Sequence, residues 1–335
     1  MTTLRMRAVQ YLGQSGVAIQ EVPAPGVEPG QVLVHPTFTG ICGSDVHVSH
    51  GLHPRVRPPV ILGHEFAGRV VASGSDQWRP GQRVAVEPLR SCGSCDQCAG
   101  PHYNRCQQLQ ILGIDADGSL AELVSVPAER LLELPDSVPD RLGALVEPIA
   151  VAAHAVRALG DLADDQPVLV FGGGPIGWLA AAILKTRGHQ VHLAETNTFR
   201  QAMIRDAGHT VADIDSQDFL MTPFQAGLEA SGTGIGLRTL VDAVAPGGTV
   251  SVVGLPKGPN ELDAMRVISK ELTIRGSRVY THSDFVDALR LLEQAGPSFE
   301  ALITHDIDLD DVITDGLSRI EAGGPVGKVV VRGTA

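Results

Sequence analysis

The amino-acid sequence predicts an α/β protein with a mainly β domain and a second domain built on a doubly wound parallel sheet. The chain has 335 residues, which exceeds the usual size of a single domain. Up to about residue 150 it consists of short β-rich runs bounded by Pro-Gly and Gly-Ser turns. After Pro167 apolar strands alternate with helical segments, a pattern that is typical of a parallel, doubly wound sheet.

The individual elements follow from these patterns. We expect strands at 31–35, 68–72, 82–86, 168–171, 190–194, 249–253 and 328–331, and helices at 176–186 and 283–294. One segment departs from the pattern, because Phe224–Gly232 is polar for a central strand and the stretch before it is short. We therefore expect the parallel sheet to be irregular or trimmed at this point.

Composition and charge exclude several classes of partner. The formal charge is −12 without a long run of one sign, which argues against nucleic acid or an anionic membrane as a partner. No segment approaches the apolar length that spans a bilayer, and residues 1–16 lack the apolar core of a signal peptide. Cysteines that serve as metal ligands fit a reducing compartment, so we expect a cytoplasmic protein.

The five cysteines divide into a cluster of four and one that stands apart. The cluster has the spacing C-x2-C-x2-C-x7-C and comprises Cys92, Cys95, Cys98 and Cys106. Four thiolates form a closed tetrahedral zinc site of the structural kind. Disulfide bonds are the alternative, but they would leave one of the five cysteines unpaired.

The remaining cysteine, Cys42, indicates a second metal site. Its expected partners are His64 and Glu65 in a Gly-His-Glu turn, since imidazole and carboxylate both bind zinc. Alone, His64 would be read as a packing or surface residue. Glu147 lies in an apolar stretch, where an unpaired carboxylate is costly to bury, so it also indicates a metal or a cation nearby. The alternative is a helix-start glutamate that faces solvent.

A glycine turn after the first apolar strand indicates a dinucleotide site. The turn matches G-x-G-x-x-G and is followed directly by a helix; its residues are Gly172, Gly174, Pro175, Ile176 and Gly177. Gly172 permits the tight turn, Gly174 lets the backbone approach a pyrophosphate, and Gly177 allows close helix–strand packing. The phosphates are expected at the helix N-terminus. A glycine-rich turn without a ligand is the alternative.

The choice of dinucleotide depends on an acid at the end of the next strand. Glu195 is placed to bind the ribose hydroxyls and to repel a 2′-phosphate, which favours NAD over NADP. Arg200 lies close in sequence and argues the other way, because an arginine there can accommodate the 2′-phosphate.

Together these features resemble the zinc-dependent medium-chain dehydrogenases, specifically the branch of polyol, butanediol and threonine dehydrogenases. The resemblance covers essentially the whole chain and rests on Gly40–His47, Gly63–Gly68, the four cysteines, Glu147-Pro148, the glycine turn and the segment 270–277. Alcohol dehydrogenases proper carry a second cysteine where this chain has Glu147, which places it on the polyol side.

The resemblance implies a domain assignment and an assembly. A GroES-like, mainly β catalytic domain is expected at 1–150 and 286–335, with the structural-zinc lobe near 90–107. A Rossmann NAD-binding domain is expected at 151–285. The family implies two zinc ions per chain, one catalytic and one structural, and a homodimer or homotetramer.

The resemblance also implies roles for single residues. Cys42, His64 and Glu147 align with positions around the catalytic zinc, and either Glu65 or Glu147 ligates it directly. Ser44 and His47 match the family's proton relay, although His47 can also be read as a surface histidine. Asp45 matches the carboxylate that orients His64.

The implied activity is hydride transfer between NAD and a secondary alcohol, with a small-molecule alcohol or ketone of the polyol, sugar or cyclitol class as the substrate. Two alternatives remain open. One is a threonine-type amino-alcohol dehydrogenase. The other is a zinc- and dinucleotide-binding protein without turnover.

Overall fold

The computed structural model describes residues 4–256 and 258–334 and divides into two compact units. The first unit runs up to Glu147 and includes Thr281–Gly296 and the chain from Ile303 onward. The second unit contains Pro148–Tyr280 and Pro297–Leu302. The chain passes from the first unit to the second after Glu147 and returns to the first at Thr281, whereas the predicted domains change after 150 and at 286. Residues 297–302, predicted in the first domain, belong to the second unit. Residues 1–3 and 335 of the first predicted domain, and 257 of the second, lie outside the described residues.

The strands are numbered in chain order. They are β1 (Arg5–Tyr11), β2 (Val17–Pro23), β3 (Gln31–Gly40), β4 (Val60–Ile61), β5 (Glu65–Ser73), β6 (Arg83–Val86), β7 (Leu89–Arg90), β8 (Gln110–Ile111), β9 (Val124–Pro127), β10 (Leu131–Glu133), β11 (Pro167–Phe171), β12 (Gln190–Ala194), β13 (Thr210–Val211), β14 (Phe224–Glu229), β15 (Val244–Val252), β16 (Thr273–Gly276), β17 (Ile303–Ile307) and β18 (Lys328–Arg332).

The α-helices are numbered in the same way. They are α1 (Gly43–Ser49), α2 (Asp140–Gly143), α3 (Val146–Arg157), α4 (Pro175–Thr186), α5 (Thr198–Asp206), α6 (Gln217–Met221), α7 (Gly234–Ala243), α8 (Ala264–Ser269), α9 (His282–Glu300) and α10 (Ser318–Glu321). Helix α9 has non-helical backbone at Ala295, close to Pro297, whose ring cannot donate the usual helical hydrogen bond. No helix of the described residues is long and apolar enough to cross a bilayer.

The first unit is built mainly from a seven-stranded sheet in the order β10-β6-β5-β3-β18-β17, with β9 also paired to β3. A three-stranded sheet, β2-β1-β4, accompanies it. Strand β3 is central and pairs with β5, β9 and β18 in antiparallel fashion. Pro36, which cannot donate to a ladder, falls where the β3–β5 register shifts. Apolar side chains of β3, β5, β6, β9 and β10 bury a core that includes Val34, Phe66 and Val84.

The second unit contains a six-stranded parallel sheet in the order β13-β12-β11-β14-β15-β16. This is the doubly wound order, in which the direction of winding reverses between β11 and β14. Helix α4 follows β11 and buries every residue from Gly177 to Leu184. The predicted combination of a mainly β unit and a parallel α/β unit is confirmed.

The polar segment Phe224–Gly232 nevertheless supplies a complete strand. Its residues form β14, which lies between β11 and β15, so the sheet is not trimmed there. The irregularity is limited to a register shift against β15 between Phe224 and Ala226. Glu229 gives the segment its polar character but is buried, because its carboxylate accepts hydrogen bonds from Ser231 N at 2.8 Å and Gly232 N at 3.1 Å.

Candidate functional site

The four clustered cysteines bring their sulfur atoms together at metal-site distances. The Sγ–Sγ separations are 3.8 Å for Cys92–Cys98, 3.5 Å for Cys95–Cys98 and 3.6 Å for Cys106–Cys92. A tetrahedral zinc with Zn–S bonds of about 2.3 Å separates its sulfurs by about 3.8 Å, whereas a disulfide bond is about 2.05 Å long. The four cysteines are free, so the disulfide reading does not hold and the donor set fits one zinc ion.

The backbone around these cysteines supports that arrangement. Strands β7 and β8 pair with each other on either side of the segment and close it at its base. Within it, Cys98 N donates to Cys95 O at 2.8 Å, and Cys106 N donates to Tyr103 O at 2.9 Å. Hydrogen bonds from the backbone and hydroxyl of Ser94 lower the pKa of the Cys92 thiol to about 6, which favours the thiolate that binds metal. We call residues 91–109 the cysteine lobe.

A second group of possible metal donors consists of Cys42, His64 and Glu65, whose ligand atoms all lie within 4.8 Å of one another. Cys42 precedes helix α1 as its N-cap residue. His64 and Glu65 stand at the start of β5, where both side chains are buried. A thiolate, an imidazole and a carboxylate are ligands of catalytic zinc sites, which keep one position open. We call this group the Cys42 site.

Asp45 contacts the segments that carry the donors of the Cys42 site. Its buried carboxylate accepts hydrogen bonds from Cys42 N at 2.8 Å and Gly63 N at 3.3 Å, which fixes the two loops that carry the donors. It also lies 3.7 Å from His64 Nδ1, so Nε2 is the ring nitrogen left for a metal. Burial disfavours the charge on His64, but the negative charges of Asp45 and Cys42 outweigh it and raise the pKa of His64 well above its usual value.

Glu147 is also buried, at 7% exposure, so the alternative of a glutamate that faces solvent at a helix start is wrong. It is the second residue of α3, and its charge acts on His64. It does not belong to the trio whose donor atoms lie within 4.8 Å of one another.

Lys328, at the start of β18, was not foreseen from the sequence. It is 2% exposed, and its Nζ donates to Glu65 Oε1 at 2.6 Å. Burial disfavours its charge, but Glu65 and Cys42 outweigh this and raise the pKa of Lys328. A lysine that opens a strand gives no sequence signal of burial, so only the fold brings it to the Cys42 site.

Ser44 and His47 lie on helix α1, three residues apart and therefore on one face. Ser44 is buried, and its Oγ lies 3.3 Å from His64 Nε2. His47 is partly exposed. The hydroxyl thus lies beside the Cys42 site, and a partly exposed histidine follows one turn later on α1.

The glycine turn after β11 has the geometry that a pyrophosphate needs. Gly172 has φ +103°, a conformation that favours glycine. A Cβ at Gly177 would come within 1.8 Å of Gly172 O, so α4 can pack against the turn only with glycine there. Gly174 is the N-cap of α4 and has open space where its Cβ would be, with Pro175 at the first helical position and Ile176 next. Open space at a helix N-terminus fits an anion.

Glu195 follows β12 and reaches back to this turn. Its Oε2 accepts hydrogen bonds from Gly173 N at 3.0 Å and from Arg200 Nε at 2.9 Å. Its Oε1 accepts from the backbone N–H groups of Thr196 at 2.7 Å and Asn197 at 2.8 Å. Arg200 is therefore held by the same carboxylate that orders the glycine turn.

A buried carboxylate, Glu87, links the cysteine lobe to the rest of the first unit. It accepts hydrogen bonds from Tyr103 Oη, from Arg130 Nη1 at 2.9 Å and from His282 Nδ1 at 2.8 Å. The Arg130 guanidinium also lies 4.6 Å from the centre of the Tyr103 ring. The Glu87-Pro88 pair is visible in the sequence, but its three partners lie 16, 43 and 195 residues away.

Two known families match the chain. The family "Alcohol dehydrogenase GroES-like domain" matches residues 28–136, and the family "Zinc-binding dehydrogenase" matches residues 175–294. The first match includes both cysteine-bearing sites, and the second begins inside the glycine turn.

Individual relatives agree with these matches. L-galactonate-5-dehydrogenase of Escherichia coli K12 is 34% identical over 297 residues, which is 85% of this chain and 86% of that protein. L-threonine 3-dehydrogenase of Anaeromyxobacter sp. strain K is 32% identical and covers 95% and 96% of the two chains. The crystal structure of 2R,3R-butanediol dehydrogenase from Bacillus subtilis superposes with a TM-score of 0.90 at 30% identity, over 98% of this chain and 100% of that one.

Fold, donor sets and relatives define the class of protein: a two-domain, zinc-dependent dehydrogenase with a GroES-like and a Rossmann domain. The chain belongs to the zinc-dependent medium-chain dehydrogenase family, in the branch of polyol and threonine dehydrogenases, and is an oxidoreductase that acts on alcohols.

Proposed function

We propose that the protein transfers hydride between NAD and a secondary alcohol of the polyol, sugar or cyclitol class. The observation that carries this proposal is the Cys42 site, where a thiolate, an imidazole and a carboxylate converge beside the Ser44 hydroxyl. A binding protein without turnover has no need of an open metal site next to a proton-accepting hydroxyl.

We assign two zinc ions to the chain. The catalytic ion would be held by Cys42 and His64, with Glu65 or Glu147 as the acidic ligand. The structural ion would be held by the four sulfurs of the cysteine lobe. When bound, the catalytic zinc lowers the pKa of an alcohol hydroxyl, and the nicotinamide ring accepts the hydride.

The chain's own residues supply the path of the proton. Ser44 Oγ accepts the proton of the alcohol, because this buried hydroxyl lies 3.3 Å from His64 Nε2, the ring nitrogen that would bind the metal. His47 then passes the proton towards solvent from the next turn of α1. The Asp45 carboxylate lies 3.7 Å from His64 Nδ1, which leaves Nε2, on the side of Ser44, as the nitrogen that would bind the metal.

The glycine turn and Glu195 would hold the dinucleotide. Gly172, Gly174 and Gly177, with Pro175 and Ile176, form the cradle for the pyrophosphate at the N-terminus of α4. A carboxylate at Glu195 repels a 2′-phosphate, and its ion pair with Arg200 reduces the positive charge that would attract one. Both effects favour NAD over NADP.

We further propose a cytoplasmic homodimer or homotetramer. The five free cysteines fit a reducing compartment. Strand β16 is the last strand of the parallel sheet in the described residues, and exposed Leu262, Met265 and Ile268 precede it. Exposed apolar side chains next to a sheet edge support self-association.

A threonine-type amino-alcohol dehydrogenase is the second candidate, because relatives of that name cover 95% or more of the chain. A panel of substrates separates the two. NADH or NADPH formation is measured with polyols, sugar acids, cyclitols, diols and L-threonine, each with NAD and with NADP, and again after zinc removal by a chelator.

We expect the largest kcat/KM for a polyol, sugar or cyclitol with NAD, and loss of the rate on zinc removal. A preference for threonine selects the second candidate. No turnover with any alcohol, in a protein that still binds zinc and NAD, would overturn the proposal and leave a binding protein.

A further inference from the structure

The second unit contains a recess of about 520 Å³ between the helices α4 and α5. Its walls are α4 from Trp178 onward, the end of α5 with the residues that follow it, and the segment 297–301. These residues all belong to the second unit, whereas the donors of the Cys42 site belong to the first. A volume of about 300–1,000 Å³ is typical of small-molecule sites. We call this feature the α4–α5 recess.

Trp178 gives the α4–α5 recess an unused hydrogen-bond donor. The side chain is 2% exposed, and its Nε1 is buried without a hydrogen-bond partner in the part of the chain that the structure describes. The other tryptophan, Trp78, is satisfied, because its Nε1 donates to Ala128 O at 2.9 Å. A buried donor without an acceptor costs free energy, which a ligand with an acceptor recovers.

His209 is the second buried polar side chain that lines the α4–α5 recess, at 8% exposure. Burial, and after it the charge of Lys185, lower the pKa of His209 to about 4. The ring is therefore neutral at pH 7, with one nitrogen that donates and one that accepts. It adds polarity to the α4–α5 recess without adding charge.

The ionised groups that line the α4–α5 recess are one of each sign, Lys185 and Asp206, and both are exposed. Lys185 Nζ donates to Ala207 O at 2.8 Å and to Gly208 O at 3.2 Å, so the ammonium already serves the carbonyl groups at the end of α5. The lining thus has no excess charge to hold an anion or a cation, which favours an uncharged ligand.

The remaining lining is apolar and suits a flat molecule. Ala182 leaves space on α4, Met203 contributes a flexible thioether from α5, and Pro297 lies on the third wall. An indole ring and a methionine sulfur both make favourable contacts with aromatic rings. The shape and chemistry of this lining therefore select an aromatic ligand.

We propose that the α4–α5 recess is a second binding site, which takes an uncharged aromatic molecule whose carbonyl oxygen accepts the hydrogen bond of Trp178 Nε1. The ligand contacts neither the Cys42 site nor the glycine turn, since neither lines the α4–α5 recess. The inference therefore goes beyond the proposed reaction and does not depend on which alcohol is the substrate.

The first test follows the two indole N–H groups by NMR. Protein labelled with ¹⁵N-tryptophan and loaded with zinc and NAD is titrated with coumarin, an uncharged aromatic lactone. The variant Trp78→Phe assigns the two signals. We expect the Trp178 signal to shift with a Kd of about 0.1–1 mM and the Trp78 signal to stay in place. A Trp178 signal that does not move up to the solubility limit of coumarin would overturn the proposal, and so would equal shifts of both signals.

The second test concerns the charge of the ligand. Coumarin-3-carboxylate carries the same rings with a negative charge, which the lining does not compensate. We expect its Kd, measured on the Trp178 signal, to be at least about tenfold higher than that of coumarin. Equal or tighter binding of the carboxylate contradicts the assignment to uncharged molecules.

The third test uses variants, with coumarin binding measured by calorimetry. Trp178→Phe keeps an aromatic ring but removes the N–H, so we expect the Kd to rise about tenfold. Ala182→Leu fills the α4–α5 recess and should abolish binding. Ala202→Leu adds the same atoms at an exposed position of α5 outside the recess and should leave the Kd unchanged.

Undiminished binding in both Trp178→Phe and Ala182→Leu would mean that coumarin binds elsewhere. If Ala182→Leu does not fold, the NMR titration of the wild-type protein and the Trp178→Phe variant decide. None of these measurements uses turnover, so their failure is distinct from a failure of the substrate panel.

Discussion

The cysteine lobe and the Cys42 site are both groups of metal donors, but they are built in opposite ways. The lobe takes four sulfurs from 15 consecutive residues, Cys92 to Cys106, and three of the four cysteines are partly exposed. The Cys42 site takes its three donors from two places, Cys42 before α1 and His64 and Glu65 at the start of β5, with buried Glu147 of α3 and Lys328 of β18 acting on it electrostatically. The lobe contains one kind of ligand. The Cys42 site combines a thiolate, an imidazole and a carboxylate, and the buried Lys328 donates a hydrogen bond to that carboxylate.

The number and kind of ligands decide whether a bound metal ion could also bind a substrate. Four like ligands within 4.8 Å of one another saturate a tetrahedral ion and leave no position for a substrate. The Cys42 site offers three donors of three different kinds, and a set of three protein ligands is the one that keeps a fourth position open at a catalytic zinc. The donors of the closed site lie close together in the sequence, whereas the fold has to bring Cys42 to His64 and Glu65.

Removal of one ligand from each site should have opposite consequences. In Cys42→Ser we expect turnover to fall by about 10³-fold or more, because the Lewis acid contributes several kcal/mol to the reaction. The melting temperature and the zinc of the lobe should change little. Turnover is measured with the best substrate of the panel, and zinc by atomic absorption.

The matched substitution in the lobe is Cys98→Ser. It should lose the structural zinc and lower the melting temperature, while the turnover of the protein that remains folded stays near the wild-type value. Equal losses of turnover in the two variants would mean that the sites are not separate in function.

The sequence predicted the lobe and the glycine turn because their information is local. Four cysteines at short spacing, and glycines between a strand and a helix, need only a few neighbouring residues to be recognised. The trio Cys42, His64 and Glu65 was also proposed from the sequence, and its atoms do converge.

Lys328, Gly40 and the partners of Glu87 could not be predicted in this way. A lysine at a strand start and a glycine at a strand end each have an ordinary local explanation. The contacts of Lys328 and Gly40 depend on the order β5-β3-β18, and the partners of Glu87 come from three separate segments; neither arrangement can be read from the spacing of single residues. At β14 the sequence correctly indicated an irregularity but also allowed a trimmed sheet, which is wrong, because Glu229 is buried with hydrogen bonds from the backbone of its own turn.

A third prediction concerns Glu87, through which the stability and zinc retention of the cysteine lobe are expected to depend on the rest of the first unit. In Glu87→Gln the partly buried Arg130 loses its counter-charge, and we expect a destabilisation of about 3–5 kcal/mol. Because Tyr103 also loses its carboxylate partner, a chelator should remove the zinc of the lobe faster. Urea unfolding and chelator kinetics measure the two effects.

Glu129→Gln is the control for that variant. It neutralises an exposed acid next to Arg130. It should change the free energy of unfolding by no more than about 0.5 kcal/mol and leave the rate of zinc removal unchanged. Normal stability and zinc retention in Glu87→Gln would show that the lobe is energetically independent of this contact.

The smallest effect concerns His282, the exposed member of the Glu87 cluster, and it depends on pH. The hydrogen bond with Glu87 raises the pKa of His282, although partial burial lowers it. A pKa raised on folding adds stability that is complete below the unfolded pKa, about 6.5, and is lost as pH rises through the folded pKa. His282→Gln should therefore lower the melting temperature at about pH 6 and have little effect at about pH 9, with a loss under about 1 kcal/mol because the His282 side chain is half exposed. His102→Gln, an exposed histidine of the lobe, serves as the control and should show no such pH dependence. A loss at about pH 9 as large as that at about pH 6 would assign the contribution of His282 to packing rather than to its charge.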